Sequence, residues 1–213
     1  MKEIIKNNQV TKVNYDIKMQ EIIDNLDGVK KILLHSCCAP CSSAVIERLT
    51  KYFDITILYY NPNIEPKDEY LKRKEEEIRF IKEFNNINKL DILDCDYDND
   101  IYHELVKGME NEKEGGSRCH KCYNLRMEYT AKKAKELSYD YFATTLSVSP
   151  YKNSQILNQI GQLLEAKYNI KYLYSDFKKR EGYKRSIELS KIYNLYRQDY
   201  CGCIYSKNNN IDD

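Results

Sequence analysis

The chain has 213 residues, 42% of them hydrophobic, with 34 basic and 33 acidic side chains and a net charge of +1. That length suits one domain around one core. The charge balance neither demands nor excludes nucleic acid, so local patches must decide. No apolar run approaches the roughly 18 residues a membrane span needs, and the stretch Met1 to Asn8 lacks the apolar segment of a signal peptide. The expected location is therefore the cytosol. Twenty tyrosines and no tryptophan carry no functional reading.

In chain order, residues 1 to about 28 are polar, with Ile17, Ile22, Ile23 and Leu26 at roughly helical spacing and Gly28 as the stop. Lys31 to His35 is a first strand and Ser42 to Leu49 a helix. Asp54 to Tyr60 is a second strand, ended by Asn61-Pro62-Asn63. Lys67 to Phe84 is a long helix with Leu71, Ile78, Ile81 and Phe84 on one side. Leu90 to Leu93 is a short strand and Ile101 to Gly108 a helix. Gly115-Gly116-Ser117 turns into Arg118-Cys119-His120-Lys121-Cys122, and Tyr123 to Leu137 is helical. Asp140 to Leu146 and Ile170 to Tyr174 are strands around a helix from Gln155 to Tyr168. A basic turn, Lys178 to Gly182, leads to a helix from Tyr183 to Leu195, and Tyr196 to Tyr205 is the last ordered element.

Short apolar strands alternating with helices predict an α/β fold, a parallel sheet of about five strands covered on both faces. The expected organisation is an amphipathic segment over residues 1–30, a single α/β catalytic domain over 31–205 and a disordered tail over 206–213. In such sheets ligands bind beyond the carboxyl ends of the strands. His35 to Cys41, Asn61 to Asn63, Asp94 to Asp96, Thr144 to Pro150 and Ser175-Asp176 all follow strands, so one edge gathers the polar chemistry.

Eight cysteines in a reducing compartment point to metal or redox chemistry rather than to structural disulfides. They cluster: Cys37, Cys38 and Cys41; Cys119 and Cys122; Cys201 and Cys203; with Cys95 alone. The first three sit where a strand meets a helix N-terminus, which lowers thiol pKa values, so they are expected to be poised as thiolates. Adjacent cysteines tend to diverge, which suits one tetrahedral zinc poorly and the separate irons of a cubane cluster better. The spacing leaves an iron–sulfur cluster, a zinc site and thiol redox chemistry open. Cys201-Gly202-Cys203 would either close a small, strained and easily reduced disulfide, an electron relay rather than a staple, or supply two more metal ligands. Cys95 reads as a core thiol.

His35 faces the crevice, as a substrate contact or a structural hydrogen bond. His120 lies between two candidate ligands, and His103 has no partner in the pattern. Asp94, Asp96 and Asp98 read as loop solvation or as oxygen ligands beside a cluster. Lys178, Lys179, Arg180, Lys184, Arg185 and Arg197, with Tyr183, Tyr193 and Tyr196 interleaved, fit either a solvated face or an RNA surface that meets phosphates and unstacked bases.

Several longer stretches carry a resemblance. They are Leu34-His35-Ser36-Cys37-Cys38-Ala39-Pro40-Cys41-Ser42-Ser43, Tyr60-Asn61-Pro62-Asn63-Ile64 and Gly115-Gly116-Ser117-Arg118-Cys119 with Cys122. Further on come Phe142-Ala143-Thr144-Thr145-Leu146, Ser149-Pro150-Tyr151-Lys152, Asp176-Phe177-Lys178-Lys179, and Gly182 to Ser186 running through Tyr196-Arg197-Gln198 to Cys203. Together they span residues 31 to 205 and resemble the epoxyqueuosine reductases of the QueH type. The resemblance implies a Rossmann-like fold of the adenine nucleotide alpha-hydrolase kind, without a Ser-Gly-Gly phosphate loop and so without ATP chemistry. It implies reduction of epoxyqueuosine to queuosine at the wobble position of tRNA, the last step of queuosine synthesis. By the same resemblance Cys37, Cys38, Cys119 and Cys122 would hold a [4Fe–4S] cluster, and Cys201 and Cys203 would form a redox-active disulfide. An additional iron would take ligands from Cys41 and Asp96 or Asp98. The implied partners are the anticodon arm of tRNA, docked by the basic late segment, and an electron donor. A zinc-stabilised RNA-binding module and a protein thiol–disulfide oxidoreductase are the rival readings.

Overall fold

The computed structural model describes residues 12–208. Five strands, β1 (Lys30–His35), β2 (Phe53–Leu58), β3 (Leu90–Leu93), β4 (Tyr141–Thr144) and β5 (Lys171–Tyr172), form one sheet in the order β3-β2-β1-β4-β5. Every pairing is parallel, with Ile32 opposite Ile55 on one side of β1 and Tyr141 on the other. The helices are α1 (Tyr15–Asp24), α2 (Ala39–Leu49), α3 (Lys67–Glu83), α4 (Asn99–Val106), α5 (Ser117–Glu136), α6 (Ser154–Tyr168), α7 (Gly182–Ile192) and α8 (Ile204–Asn208).

Successive strand residues point to opposite faces, and the two cores follow that alternation. Ile32 and Leu34 of β1 pack with Met19 and Ile23 of α1, Val45 and Leu49 of α2 and Phe80 of α3. Leu33 packs on the other face with Met127, Ala131 and Ala134 of α5 and Leu157 and Leu164 of α6. The sheet is thus covered on both faces, as the strand pattern predicts. The strand order reverses between β1 and β4, which places the crevice for a ligand at their carboxyl ends.

Several boundaries differ from the sequence reading, each for a local reason. Asn14, not an earlier residue, caps α1 by accepting from the backbone of Asp16 and Ile17. That start turns Ile17 outward, 54% exposed, and sends Tyr15 and Met19 inward. Asp16 binds Arg48 of α2 and Arg180, so α1 is tied to the domain, while residues 1–11 lie outside the described residues. β4 stops at Thr144, whose hydroxyl accepts from the Leu146 backbone and starts a 3-10 turn over Thr145–Val148. α5 begins at Ser117, six residues before its expected start. α8 takes in Ser206 to Asn208 from the segment expected to be a disordered tail, with Ser206 buried beneath Cys203. None of the described helices is long and apolar enough to cross a membrane.

Candidate metal and redox site

His35 ends β1 at the switch point and is fully buried. Its Nε2 lies 3.2 Å from the Tyr60 carbonyl and its Nδ1 3.0 Å from the Thr144 hydroxyl. A carbonyl only accepts, so Nε2 carries the proton and Nδ1 accepts from Thr144. Burial, and after it the charge of Arg126, lowers the pKa of His35 to about 3. His35 is therefore a neutral brace that ties β1 to β4 and to the loop after β2, which settles the sequence alternatives in favour of a structural hydrogen bond.

A stability consequence follows. Below pH 6.5 the unfolded chain takes up a proton that folded His35 refuses until about pH 3. This contribution is complete above pH 6.5 and is lost as pH falls, by roughly 1.5 kcal/mol between pH 6.5 and 5. Glu77 runs the other way: burial raises its pKa to about 8, so its contribution is full below about 4.5 and lost as pH rises through 8. Denaturant melts at pH 7 and pH 5 should show a shallower acid loss for His35→Gln than for the wild type, with the Glu77 part common to both. Equal losses would contradict the brace.

Past His35 the chain leaves the sheet and Cys38 takes the N-cap position of α2, extended at φ −177° and ψ 157°, with Pro40 in the first turn. The sulfurs of Cys37, Cys38 and Cys41 all lie within 4.8 Å of one another, and those of Cys37 and Cys38 are 3.9 Å apart. The adjacent cysteines thus converge instead of diverging. A 3.9 Å separation also spans the ~3.8 Å edge of a tetrahedral zinc thiolate site, so adjacency does not select the metal.

Three thiols this close share one negative charge. Hydrogen bonds from Cys38 and then Cys41 hold the Cys37 thiol well below its usual range. The same contacts with Cys37 are the largest cause raising Cys38 and Cys41. Instead of three thiolates activated alike, hydrogen bonds within the trio lower Cys37 and raise Cys38 and Cys41.

Cys119 and Cys122 stand three residues apart in the first turns of α5, a spacing that sets them on one face. Arg126 follows Cys122 by one further turn. Cys122 is buried, and burial raises its thiol to about 12. Burial also raises Cys119, whose sulfur accepts from the Gly115 backbone at 3.2 Å. Cys122 packs with Cys203 and Tyr102. Cys201 and Cys203 are both free thiols in this structure. Gly202 between them has φ +130°, and a Cβ there would come within 2.9 Å of Ile64, so only glycine fits this close approach. The Gly202 carbonyl accepts from the Glu65 backbone at 2.8 Å, and Arg73 of α3 donates to the carbonyls of Tyr200 and Cys201.

Buried cations, not named from sequence, join these groups. Arg126 is 1% exposed, and among the described residues its guanidinium makes one hydrogen bond, from Nε to the Cys122 carbonyl at 3.3 Å. Its Nη2 is buried without a partner, and no carboxylate pairs with it among the described residues. The charges that bear on Arg126 most are those of Cys122, Cys201 and Cys37, sulfurs from three separate segments. Gln198 Nε2 donates to Cys38 Sγ at 2.8 Å. A cavity of about 580 Å³, a size suited to a small ligand, opens over Cys37, Cys41, Cys201, Lys152 and Tyr200.

The other sequence candidates fall elsewhere. Asp96 and Asp98 are exposed and stand outside the cysteine trio. Asp98 caps α4 by accepting from Ile101, and Asp94 pairs with Lys74. Cys95 is half-buried among aromatic side chains. His103 pairs with Glu65 at 3.1 Å, and His120 is half-buried near the Tyr123 ring. The basic late segment carries ion pairs and hydrogen bonds along a partly exposed stretch. Lys178 binds Asp176 and the carbonyls of Ser147 and Lys152, Arg180 binds Asp16, and Lys184 binds Glu181. Arg185 binds Glu47 and Glu188, and Arg197 binds Ser190. Of the six, Lys179 alone among the described residues has no such partner, and Lys179, Arg180 and Lys184 are exposed.

A parallel α/β domain whose switch point gathers three thiols that could hold a metal, beside a buried guanidinium with no carboxylate among the described residues, has the layout of a thiolate metal or redox site. The family model described as epoxyqueuosine reductase QueH matches residues 32–209. A protein named epoxyqueuosine reductase QueH from Streptococcus pyogenes serotype M1 is 46% identical over 97% of this chain and 83% of its own. Those of the same name from Staphylococcus epidermidis and Thermotoga maritima are 46% and 35% identical, over 92% and 82% of this chain and 85% and 89% of their own. The chain belongs to the epoxyqueuosine reductase QueH family.

Proposed function

We propose that this chain reduces epoxyqueuosine to queuosine at the wobble position of tRNA, using a [4Fe–4S] cluster held by Cys37, Cys38, Cys119 and Cys122. The observation that carries the metal reading is the sulfur trio at the end of β1, with all three ligand atoms within 4.8 Å. The unpartnered Nη2 of Arg126 fits the same group. A buried guanidinium with no carboxylate needs an anion, and a thiolate-bound cluster brings net negative charge. When bound, such a cluster supplies electrons one at a time at a potential tuned by charge and hydrogen bonds around its sulfurs.

The chain's own residues do the rest. Arg126 offsets thiolate charge, and Gln198 orients Cys38. Arg73 and Gly202 hold the Cys201–Cys203 segment against the loop after β2. Cys201 and Cys203 can deliver two electrons and two protons as they close a disulfide, which matches the demand of the net reaction: epoxide, two electrons and two protons give alkene and water. Cys41, with Asp96 or Asp98, is proposed for an additional iron; Asp98 caps α4 through one carboxylate oxygen. Eight free cysteines suit a reducing, cytoplasmic location.

With the basic segment engaged in ion pairs, tRNA contact is assigned to the cavity mouth. Tyr151 there is 82% exposed, a platform on which an unstacked anticodon base can lie. Tyr151→Ala should weaken tRNA binding about tenfold or more, at ~1–3 kcal/mol per stacked base. Unchanged binding by titration at fixed salt would remove Tyr151 from the interface. The function itself is tested with anaerobically purified protein, a chemical reductant and tRNA carrying epoxyqueuosine. Nucleoside analysis should show queuosine, and its absence would contradict the proposal.

A further inference from the structure

We propose that Lys152 is the residue that receives the epoxide oxygen, donating a hydrogen bond and then a proton to it as the carbon–oxygen bonds break. This rests on the function proposed above and adds a catalytic residue to it. Lys152 lines the same cavity as Cys37, Cys41 and Cys201. Its ammonium has no hydrogen bond or ion pair among the described residues, whereas neighbouring basic side chains are tied down: Lys178 to Asp176 and Arg197 to Ser190.

The backbone of Lys152 is held from both sides. Its N–H donates to the Ser149 carbonyl at 3.3 Å, and its own carbonyl accepts from Lys178 Nζ at 3.0 Å. Lys178 is anchored in turn on the Ser147 carbonyl at 3.1 Å. A side chain rooted this firmly with a free charged end is organised to meet something that enters the cavity.

The chemistry calls for such a group at this place. An epoxide oxygen that loses its first carbon–oxygen bond becomes an alkoxide, strongly basic and costly in a sheltered cavity. A fixed donor aimed at developing oxyanion charge is worth about 10²- to 10³-fold in rate. The balance closes as follows. Both bonds from carbon to the epoxide oxygen break, and a carbon–carbon double bond forms. Two electrons come from a low-potential iron–sulfur or dithiol donor. Lys152 supplies one proton and is recharged from water, solvent supplies the other, and the oxygen leaves as water.

The test compares wild type, Lys152→Met and Lys152→Arg, each loaded anaerobically and measured for iron content. Single-turnover conversion and affinity are measured for tRNA bearing epoxyqueuosine and for tRNA bearing queuosine, which lacks the oxygen. Lys152→Met should keep its iron, lose about 10²-fold or more in rate with KM changed far less, and lose any wild-type preference for the epoxide-bearing tRNA. Lys152→Arg should recover only the hydrogen-bonding share of the rate and stay well below wild type, because a guanidinium donates a hydrogen bond but does not give up its proton. An active wild type beside an equally active Lys152→Met, or a rate loss that tracks lost iron, would overturn the assignment alone. An inactive wild type would overturn the functional reading and the role of Lys152 with it.

Discussion

Cys122→Ala should lose bound iron and, with it, turnover by on the order of 10³-fold or more, since removing a ligand removes the site. This substitution probes convergence more sharply than any in the trio. Cys122 comes from the start of α5, on a different segment from Cys37 and Cys38, and it is buried. Burial raises its thiol to about 12, so a metal must displace a proton to bind there, and loading should be more complete at pH 8 than at pH 6.5. Cys95→Ala serves as the comparison, because Cys95 packs among aromatic side chains and should keep both iron and activity. Iron analysis, activity and a far-ultraviolet spectrum for folding decide the matter. A Cys122→Ala protein with wild-type iron would exclude Cys122 as a ligand.

Arg126→Met should have opposite effects on the metal-free and the loaded protein. In the metal-free chain the guanidinium is buried and has no carboxylate. Replacing it with a thioether of similar length removes a buried charge that has no carboxylate among the described residues and should leave the metal-free fold as stable or more so, the direction seen when buried ionic groups are replaced by apolar ones. In the loaded protein the same charge favours the more negative, reduced form. A unit charge beside the site, at an effective dielectric constant near 20, is worth on the order of 1.5–3 kcal/mol. The midpoint potential should therefore fall by roughly 60–120 mV for a one-electron couple. Denaturant melts of the metal-free chain and an anaerobic redox titration of the loaded one read the two effects separately. Destabilisation of the metal-free chain together with an unchanged potential would show that Arg126 is only a packing residue.

Much of the architecture is legible in the chain because the relevant signals are local. The apolar runs ending at His35 and Thr144, and the turn residues after them, suffice to place a parallel sheet and its functional edge. The site is less legible because its decisive residues break the pattern by which faces are read. Tyr70, Arg73, Glu77 and Phe80 occupy the inward face of α3, and Cys119, Cys122, Arg126 and Thr130 that of α5. Charges at spacings of three and four that share a face with apolar or thiol residues are the signal that identifies Arg73, Glu77 and Arg126. The reading of the basic segment has the reverse problem. Its partners, Asp16 for Arg180 and Glu47 for Arg185, are more than a hundred residues away, and only the fold brings them together. The start of α5 is hidden because Gly115-Gly116-Ser117 reads as a flexible turn, when Gly116 is the N-cap of the helix that presents Cys119 and Cys122.

Iron and acid-labile sulfide counted on anaerobically purified chain, with its visible spectrum, test the central claim most directly. Four irons and four sulfides in a cubane, with any additional iron on top, and a broad band at roughly 400 nm are the predicted result. A colourless protein holding one zinc per chain would contradict it.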